Sequence, residues 1–84
     1  MEVNVITAQK KLLQEEAIEV ILPGADGELS VMDFHQPFLY YLRGGQVRVI
    51  SRVKKGKQAE KKIPIKRGIA NFQGNVLTLI VEAR

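Results

Sequence analysis

Cysteine is absent from this 84-residue sequence, and histidine occurs once, as His35. Without cysteine the chain forms neither a disulfide nor a thiolate metal site, and a single imidazole is too few for a multi-histidine metal site. A Gly-rich phosphate-binding loop leading into a helix is also missing. We therefore expect the protein to bind no metal and no cofactor.

Long apolar runs are missing as well. No stretch of about 18 apolar residues occurs, so the sequence predicts no membrane-spanning helix. The N-terminal segment, residues 1–5 with the sequence MEVNV, has neither the basic region nor the apolar core of a secretory signal. We expect the protein to stay in the compartment where it is made.

Sequence motifs of catalysis are lacking. Ser30 and Ser51 could in principle pair with His35, but no nucleophile-elbow or oxyanion-type spacing accompanies them. The adjacent carboxylates of Glu15 and Glu16 would point to opposite faces of a strand, so they cannot form an acid–base pair. The sequence therefore predicts a protein that is not an enzyme.

Acidic and basic residues are unevenly distributed along the chain. Residues 1–42 hold seven acids and two lysines, a net charge of −5, whereas residues 43–67 hold ten bases and one acid, a net charge of +9. Such a basic block is typical of a solvated hairpin or of a surface that binds nucleic acid. Nucleic-acid-binding barrels interleave bases with aromatic residues, and residues 43–67 contain no aromatic residue. A small basic β-barrel that binds nucleic acid is therefore the alternative hypothesis.

The hydrophobic pattern has a period of two, which is typical of strands. Val3 and Val5 alternate with Glu2, Asn4 and Ile6, Val47 and Val49 alternate with Arg48, and glycine and proline punctuate the segments between. We predict an all-β fold for residues 1–84 as a single domain. It should be a small β-sandwich or flattened barrel of about eight to ten short, mostly antiparallel strands.

Three segments carry specific structural expectations. Residues 12–22 should form two short strands with a bend near residues 15–17, and residues 53–61 should form a solvated hairpin connection. Residues 76–81 are apolar on both strand faces. We expect this last strand to be central in the sheet or to meet a partner through its outer face.

Four sequence segments along the chain form an ordered set of motifs. Residues 22–31 read LPGADGELSV and residues 35–39 read HQPFL, while LRGGQVRV at 42–49 and GIANFQGNVLTL at 68–79 follow in order. In order and spacing these segments resemble the ε subunits of F-type ATP synthases over nearly the whole chain. The first two segments are the more specific part of the resemblance.

The sequence departs from that family at identifiable places. Ser30 replaces the usual glycine, and residues 32–34, Met-Asp-Phe, replace leucine-proline-glycine. Residues 66–68 read KRG where serine-glycine-glycine is common, and Ala8 stands where proline is usual. The family usually continues beyond the position of Arg84 into two antiparallel helices. The departures within the chain concern loops, so the expected fold is unchanged.

The resemblance implies a non-catalytic subunit in the central stalk of an F1Fo ATP synthase, which couples ion-driven rotation to ATP synthesis at sites elsewhere. Its partners would be the γ subunit and the c-ring, with no nucleic acid. The protein would associate peripherally, through the complex, with the cytoplasmic face of the bacterial inner membrane.

The resemblance also implies two sets of contact residues. The γ-facing set lies on the outer face of the last strand, at Val76, Thr78 and Ile80. The set implied to contact the c-ring comprises Glu28, Leu29, Ser30, Val31, Met32, Asp33, Phe34 and His35.

Overall fold

The computed structural model describes residues 1–52 and 56–84, and these residues form eight β-strands and no α-helix. No helix long and apolar enough to cross a membrane occurs among them. The strands are β1 (Glu2–Ile6), β2 (Lys11–Glu16), β3 (Glu19–Gly24), β4 (Gly27–Met32), β5 (Phe38–Leu42), β6 (Gly45–Arg52), β7 (Gln58–Gln73) and β8 (Val76–Ala83). The predicted all-β fold is confirmed.

The strands form one hydrogen-bonded sheet in the order β2-β1-β8-β7-β5-β3-β4, and β6 pairs with both β3 and β7. The 16-residue β7 pairs with β6 through its first part and with β5 and β8 through its second part. It therefore belongs to two half-sheets, one containing β2, β1, β8 and β5 and the other containing β6, β3 and β4. All pairs are antiparallel except β1 with β8, as the mostly antiparallel prediction requires.

The core is built by alternation along the strands. Val3, Val5, Leu77 and Leu79 from the paired strands β1 and β8 are fully buried. They pack in one cluster with side chains from the other half-sheet, including Val20, Leu22, Val31, Val47 and Val49. Burial of each such side chain contributes about 1.5–3 kcal/mol relative to exposure. No polar or charged side chain is buried in the described part of the chain, so the hydrophobic effect dominates the stability of this core.

The expectation for residues 12–22 is confirmed: β2 and β3 are separate strands, and the bend between them is fixed where Ala17 N donates to Met1 O at 2.9 Å. The expectation for residues 53–61 was wrong in its C-terminal part, because β7 already begins at Gln58. The backbone ladder between β6 and β7 continues to Arg52 and Gln58, and the ion pair of Arg48 with Glu60 crosses it. The rest of that expectation falls partly on residues 53–55, which lie outside the described residues.

The last strand, β8, lies inside the sheet between β1 and β7. Its inward residues Leu77 and Leu79 are buried, whereas Ile80 on the outer face is 57% exposed. The prediction of a central strand is thus confirmed, and an apolar outer face is left uncovered.

Candidate functional site

The segment expected to contact the c-ring runs along β4, which pairs with β3 alone in the described structure and lies at one end of the strand order. Glu28, Ser30 and Met32 alternate on its exposed face, and Leu29 is half-buried. Val31 points the other way and is fully buried in the core. The inclusion of Val31 among the contact residues is therefore corrected, because its side chain is not accessible to a partner.

A tight turn follows β4 at residues 32–35, where His35 N donates to Met32 O at 3.3 Å. Phe34 occupies the third position of this turn with a φ of 61°. A positive φ at that position is typical of a type II turn and favours glycine. For a residue with a Cβ it costs on the order of 1–2 kcal/mol. Phe34 is nevertheless 83% exposed, so its side chain gains nothing in the core.

Two contacts from distant parts of the chain hold this turn. The Phe34 amide donates to Asn75 Oδ1 at 2.8 Å, and the Asp33 carboxylate pairs with the N-terminal ammonium of Met1. The ammonium also donates to Ala17 O at 3.0 Å. Its hydrogen bond to Asp33 lowers the pKa of that carboxyl. Burial alone would lower the pKa of the ammonium, but the neighbouring carboxylates outweigh burial, so this pKa is raised.

His35 lies at the exposed end of an aromatic cluster. Its ring meets Phe38 at 5.3 Å and Phe72 at 6.2 Å in edge-to-face geometry, and Phe38 stacks on Phe72 at 5.7 Å. His35 Nδ1 lies 2.9 Å from Gln36 O, so the ring is oriented by its own loop. The cluster fixes the imidazole at the surface beside the turn.

The second surface is the outer face of β8 and its neighbours. Val76 and Thr78 are half-buried there and Ile80 is exposed, so the strand presents the three residues expected to face the γ subunit. Strand pairing adds residues that the sequence reasoning missed, since Ile80 lies opposite both Ile6 and Ile69.

This apolar row continues onto β5, where Tyr41 pairs with Ile69 and is 69% exposed. Neighbouring strands lie about 4.8 Å apart, so the row spans roughly 14 Å across four strands. The turn at residues 7–10 borders it and closes a groove of about 970 Å³ that is lined by Tyr41, Ile69 and Ile80 among others. The alternation of Tyr40 and Tyr41 was the available sequence signal, since one of the two had to face outward.

Several basic residues of β6 and β7 pair with carboxylates on neighbouring strands. Arg48 pairs with Glu60 at 2.6 Å and Lys61 with Glu15 at 2.6 Å. Hydrogen bonds from the basic partners lower the pKa of Glu60, and Arg67 acts likewise on Glu82. Within residues 1–52 and 56–84, no group of three or more metal-ligating side chains is found.

These features define a small all-β sandwich domain with two exposed surfaces, a polar edge strand with its turn and an apolar sheet face. The chain belongs to the family described as the ATP synthase delta/epsilon chain, β-sandwich domain, whose model matches residues 1–84. The resemblance read from the motifs is thus confirmed.

Curated relatives agree with the family. The ATP synthase epsilon chain of Jannaschia sp. is 32% identical over 82 residues, which cover 98% of this chain and 58% of the relative. The epsilon chain of Paracoccus denitrificans is also 32% identical over 82 residues, covering 98% of this chain and 53% of the relative. The chain therefore spans a little over half the length of these relatives.

Solved structures share the fold. A chain in the central stalk and c-ring structure of the Tetrahymena thermophila mitochondrial ATP synthase superposes with a TM-score of 0.78 at 20% identity, covering 98% of this chain and 63% of that chain. A chain of the Euglena gracilis mitochondrial ATP synthase gives a TM-score of 0.80 at 20% identity, covering 94% and 48%. At this identity the likeness establishes the sandwich architecture.

Proposed function

We propose that this chain is the docking domain of an ε subunit in the central stalk of a rotary ATP synthase. The observation that carries the proposal is the family match over residues 1–84, combined with exposure of the contact segment on β4. The domain itself is non-catalytic and links the γ subunit to the c-ring, so that ion-driven rotation is coupled to ATP synthesis elsewhere. In a bacterium it would lie peripherally at the cytoplasmic face of the inner membrane.

The c-ring contact is formed by β4 and the turn that follows it. Glu28, Ser30 and Met32 share one exposed strand face, and the turn carries Asp33, Phe34 and His35 to its end. Leu29 shares the inward face of β4 with Val31 and packs against the core, so only its half-exposed part is available to the partner. A carboxylate on a rigid strand suits a partner with basic or polar loops, because complementary charge fixes the register of docking.

The γ contact is formed by the outer face of β8. Val76, Thr78 and Ile80 lie on this face, and the neighbouring Ile69 and Tyr41 extend its apolar surface. Contiguous exposed apolar surface of this kind marks protein–protein contacts. A broad apolar contact also suits a joint that must resist torque.

Nucleic-acid binding is the less favoured function. The family match argues against it, and two of the bases on β6 and β7, Arg48 and Lys61, already pair with Glu60 and Glu15. Pairing leaves less positive charge for phosphates, and the block still lacks aromatic stacking platforms.

The test is binding of the 84-residue chain to purified c-ring and to purified γ subunit. We expect the double variant Glu28→Ala/His35→Ala to weaken c-ring binding by tenfold or more, because the paired loss removes the charged and the half-polar contact. Binding to γ should change little, since both side chains are exposed and lie away from β8. The thermal unfolding midpoint should fall by only a few degrees, through loss of the edge-to-face contacts of His35. Unchanged c-ring binding in this variant would refute the assignment of the β4 surface.

A further inference from the structure

The amino group of Met1 is held inside the protein. Met1 is 3% exposed, and its ammonium donates to Ala17 O at 3.0 Å and pairs with the Asp33 carboxylate. The Glu16 carboxylate lies 3.4 Å from the same nitrogen, but it is 81% exposed, so solvent weakens its attraction. The first residues of most domains are poorly ordered unless contacts tie them down. Here acceptors on two other segments of the chain hold the terminal nitrogen.

Asp33 connects this nitrogen to the turn at residues 32–35. The next residue, Phe34, has a φ of 61°, and its amide donates to Asn75 Oδ1 at 2.8 Å. The ion pair of Met1 with Asp33 and the bond from Phe34 to Asn75 are thus adjacent supports of one turn. A charge-assisted hydrogen bond is roughly twice as strong as a neutral one. Removing the charge of Met1 would therefore weaken a turn whose backbone conformation is already unfavourable.

We propose that the α-amine of Met1 is a modification-sensitive site, at which an acyl group releases Asp33 and loosens the turn at residues 32–35. Acyl transfer from a thioester forms the amide C–N bond, breaks the thioester C–S bond, and yields a thiol and the proton that the ammonium gives up. The product is uncharged and keeps one N–H, which suffices for Ala17 O alone. A residue placed before Met1 would act in the same way, because it also converts this nitrogen into an amide.

Acylation must precede folding. Burial alone would lower the pKa of the Met1 ammonium, but Asp33 and Glu16 outweigh burial, so this pKa is raised. A larger fraction of the amine is therefore protonated and unreactive at neutral pH, and burial of Met1 keeps reagents away from it. Folding thus protects a free amine, and only a chain that has not yet folded is readily modified.

The test compares chemically synthesised 84-residue chains with a free, an Nα-acetyl or an Nα-methyl terminus, each with and without Asp33→Asn. The Nα-methyl amine is the matched control, since it adds bulk and keeps the positive charge. We expect acetylation to speed hydrogen exchange at the Phe34 amide roughly three- to tenfold in the unaltered sequence. In Asp33→Asn the further effect should be less than about twofold, because groups in contact are energetically coupled. The Nα-methyl chain should exchange like the free chain.

Two results would overturn the proposal. An equal effect of acetylation with and without Asp33→Asn would show that the amine does not act through this carboxylate. Equal loosening of the turn by the Nα-methyl group would assign the effect to bulk instead of charge. No partner protein takes part in either measurement, so both outcomes are independent of docking on the c-ring.

Reactivity of the free chain gives a second measurement, which remains decisive if the acetylated chain fails to fold. In the folded chain, an acid anhydride should acylate Met1 about tenfold more slowly than Lys10 and Lys62, whose side chains are exposed. In denaturant Met1 should react faster than these lysines, because an α-amine has an ordinary pKa of about 7.7–8.0 and a lysine one of about 10.4. Acylation of Met1 at the rate of the lysines in the folded chain would refute the site.

Discussion

Phe34 and Asn75 are the two non-glycine residues with a positive φ among the described residues, at 61° and 59°. They are joined by one hydrogen bond, from the Phe34 amide to the Asn75 side chain. Asparagine tolerates this backbone conformation better than most residues, since its short polar side chain bonds locally. Asn75 thus does two things at once: it closes the β7–β8 turn and it accepts the amide of a turn from another part of the chain.

Replacing Asn75 separates these two roles. Asn75→Gly keeps the backbone conformation and removes the acceptor, so we expect faster hydrogen exchange at the Phe34 amide with little change in global stability. Asn75→Asp retains an acceptor and is the control. Equal protection of that amide in the unaltered chain and in Asn75→Gly would show that the side chain does not hold the turn.

At the scale of elements, strand β7 joins the two half-sheets, because its 16 residues pair first with β6 and then with β5 and β8. The change of partner falls at a register shift between Ile65 and Arg67, directly before Gly68. A Cβ at Gly68 would lie 2.7 Å from Ile80 O and 2.9 Å from Val81 Cγ1. Only glycine allows β7 and β8 to approach this closely at the shift.

Gly68→Ala should therefore lower the free energy of unfolding by about 2–3 kcal/mol, since backbone atoms must move to relieve the contact. Gly74→Ala is the matched control: a Cβ there meets nothing within 4 Å, but φ is 56°. It should cost about 1 kcal/mol through backbone strain alone. Chemical denaturation of both variants measures the difference, and a smaller effect at Gly68 than at Gly74 would contradict the close approach.

Alternation within strands was predictable from the sequence, and cross-strand neighbours were not. The buried positions Val3 and Val5 follow from a period of two, whatever the sheet order. By contrast, Ile6, Ile80 and Ile69 become neighbours only because β8 lies between β1 and β7. Single strands do not specify which strands pair, so the apolar row could not be foreseen.

The segment expected to contact the c-ring was likewise predictable only in part. The position of β4 and its turn could be read from the sequence. The PG segment stands at the end of β3, the GEL segment at the start of β4, and the HxP segment shortly after β4. The burial of Val31 follows from alternation with Ser30 and Met32, because successive side chains of a strand point to opposite faces. The bond from Phe34 to Asn75 joins residues 41 apart, and no local pattern announces it.

At the scale of the whole molecule, the acidic part of the sequence, residues 1–42, forms an ion pair with the basic part, residues 43–67. Glu15 on β2 bonds Lys61 on β7 at 2.6 Å and also accepts from Ser51 on β6. Burial alone would raise the pKa of Glu15, but the hydrogen bonds from Lys61 and Ser51 outweigh it, and the pKa is lowered. These hydrogen bonds connect β2 to β6 and β7.

This pairing predicts how stability depends on pH. Because the folded pKa of Glu15 lies below its ordinary value of 4.5, the stabilisation is complete above that pH and is lost as pH falls through the folded pKa. Glu15→Gln should cost about 0.5–1 kcal/mol at pH 7, roughly 2–8 °C in Tm for a domain of this size. The difference should become smaller between pH 7 and pH 3, because protonation of Glu15 removes the interaction.

Thermal melts of the unaltered chain and Glu15→Gln at both pH values measure this effect. Glu28→Gln is the control, since that carboxylate is exposed and forms no ion pair within the described part of the chain, so it should shift Tm much less. A Tm difference for Glu15→Gln that is equal at the two pH values would assign it to altered packing.

The position of β8 has a consequence for how the chain acquires its structure. Among the described strands, the β1–β2 hairpin is joined to the rest of the sheet by backbone pairing with β8, which follows all the other described strands in the sequence. This hairpin can therefore join the sheet only after β8 has left the ribosome. Such dependence on sequence-distant pairing makes assembly slow and late, with Val3 and Val5 exposed to solvent and to chaperones in the interval.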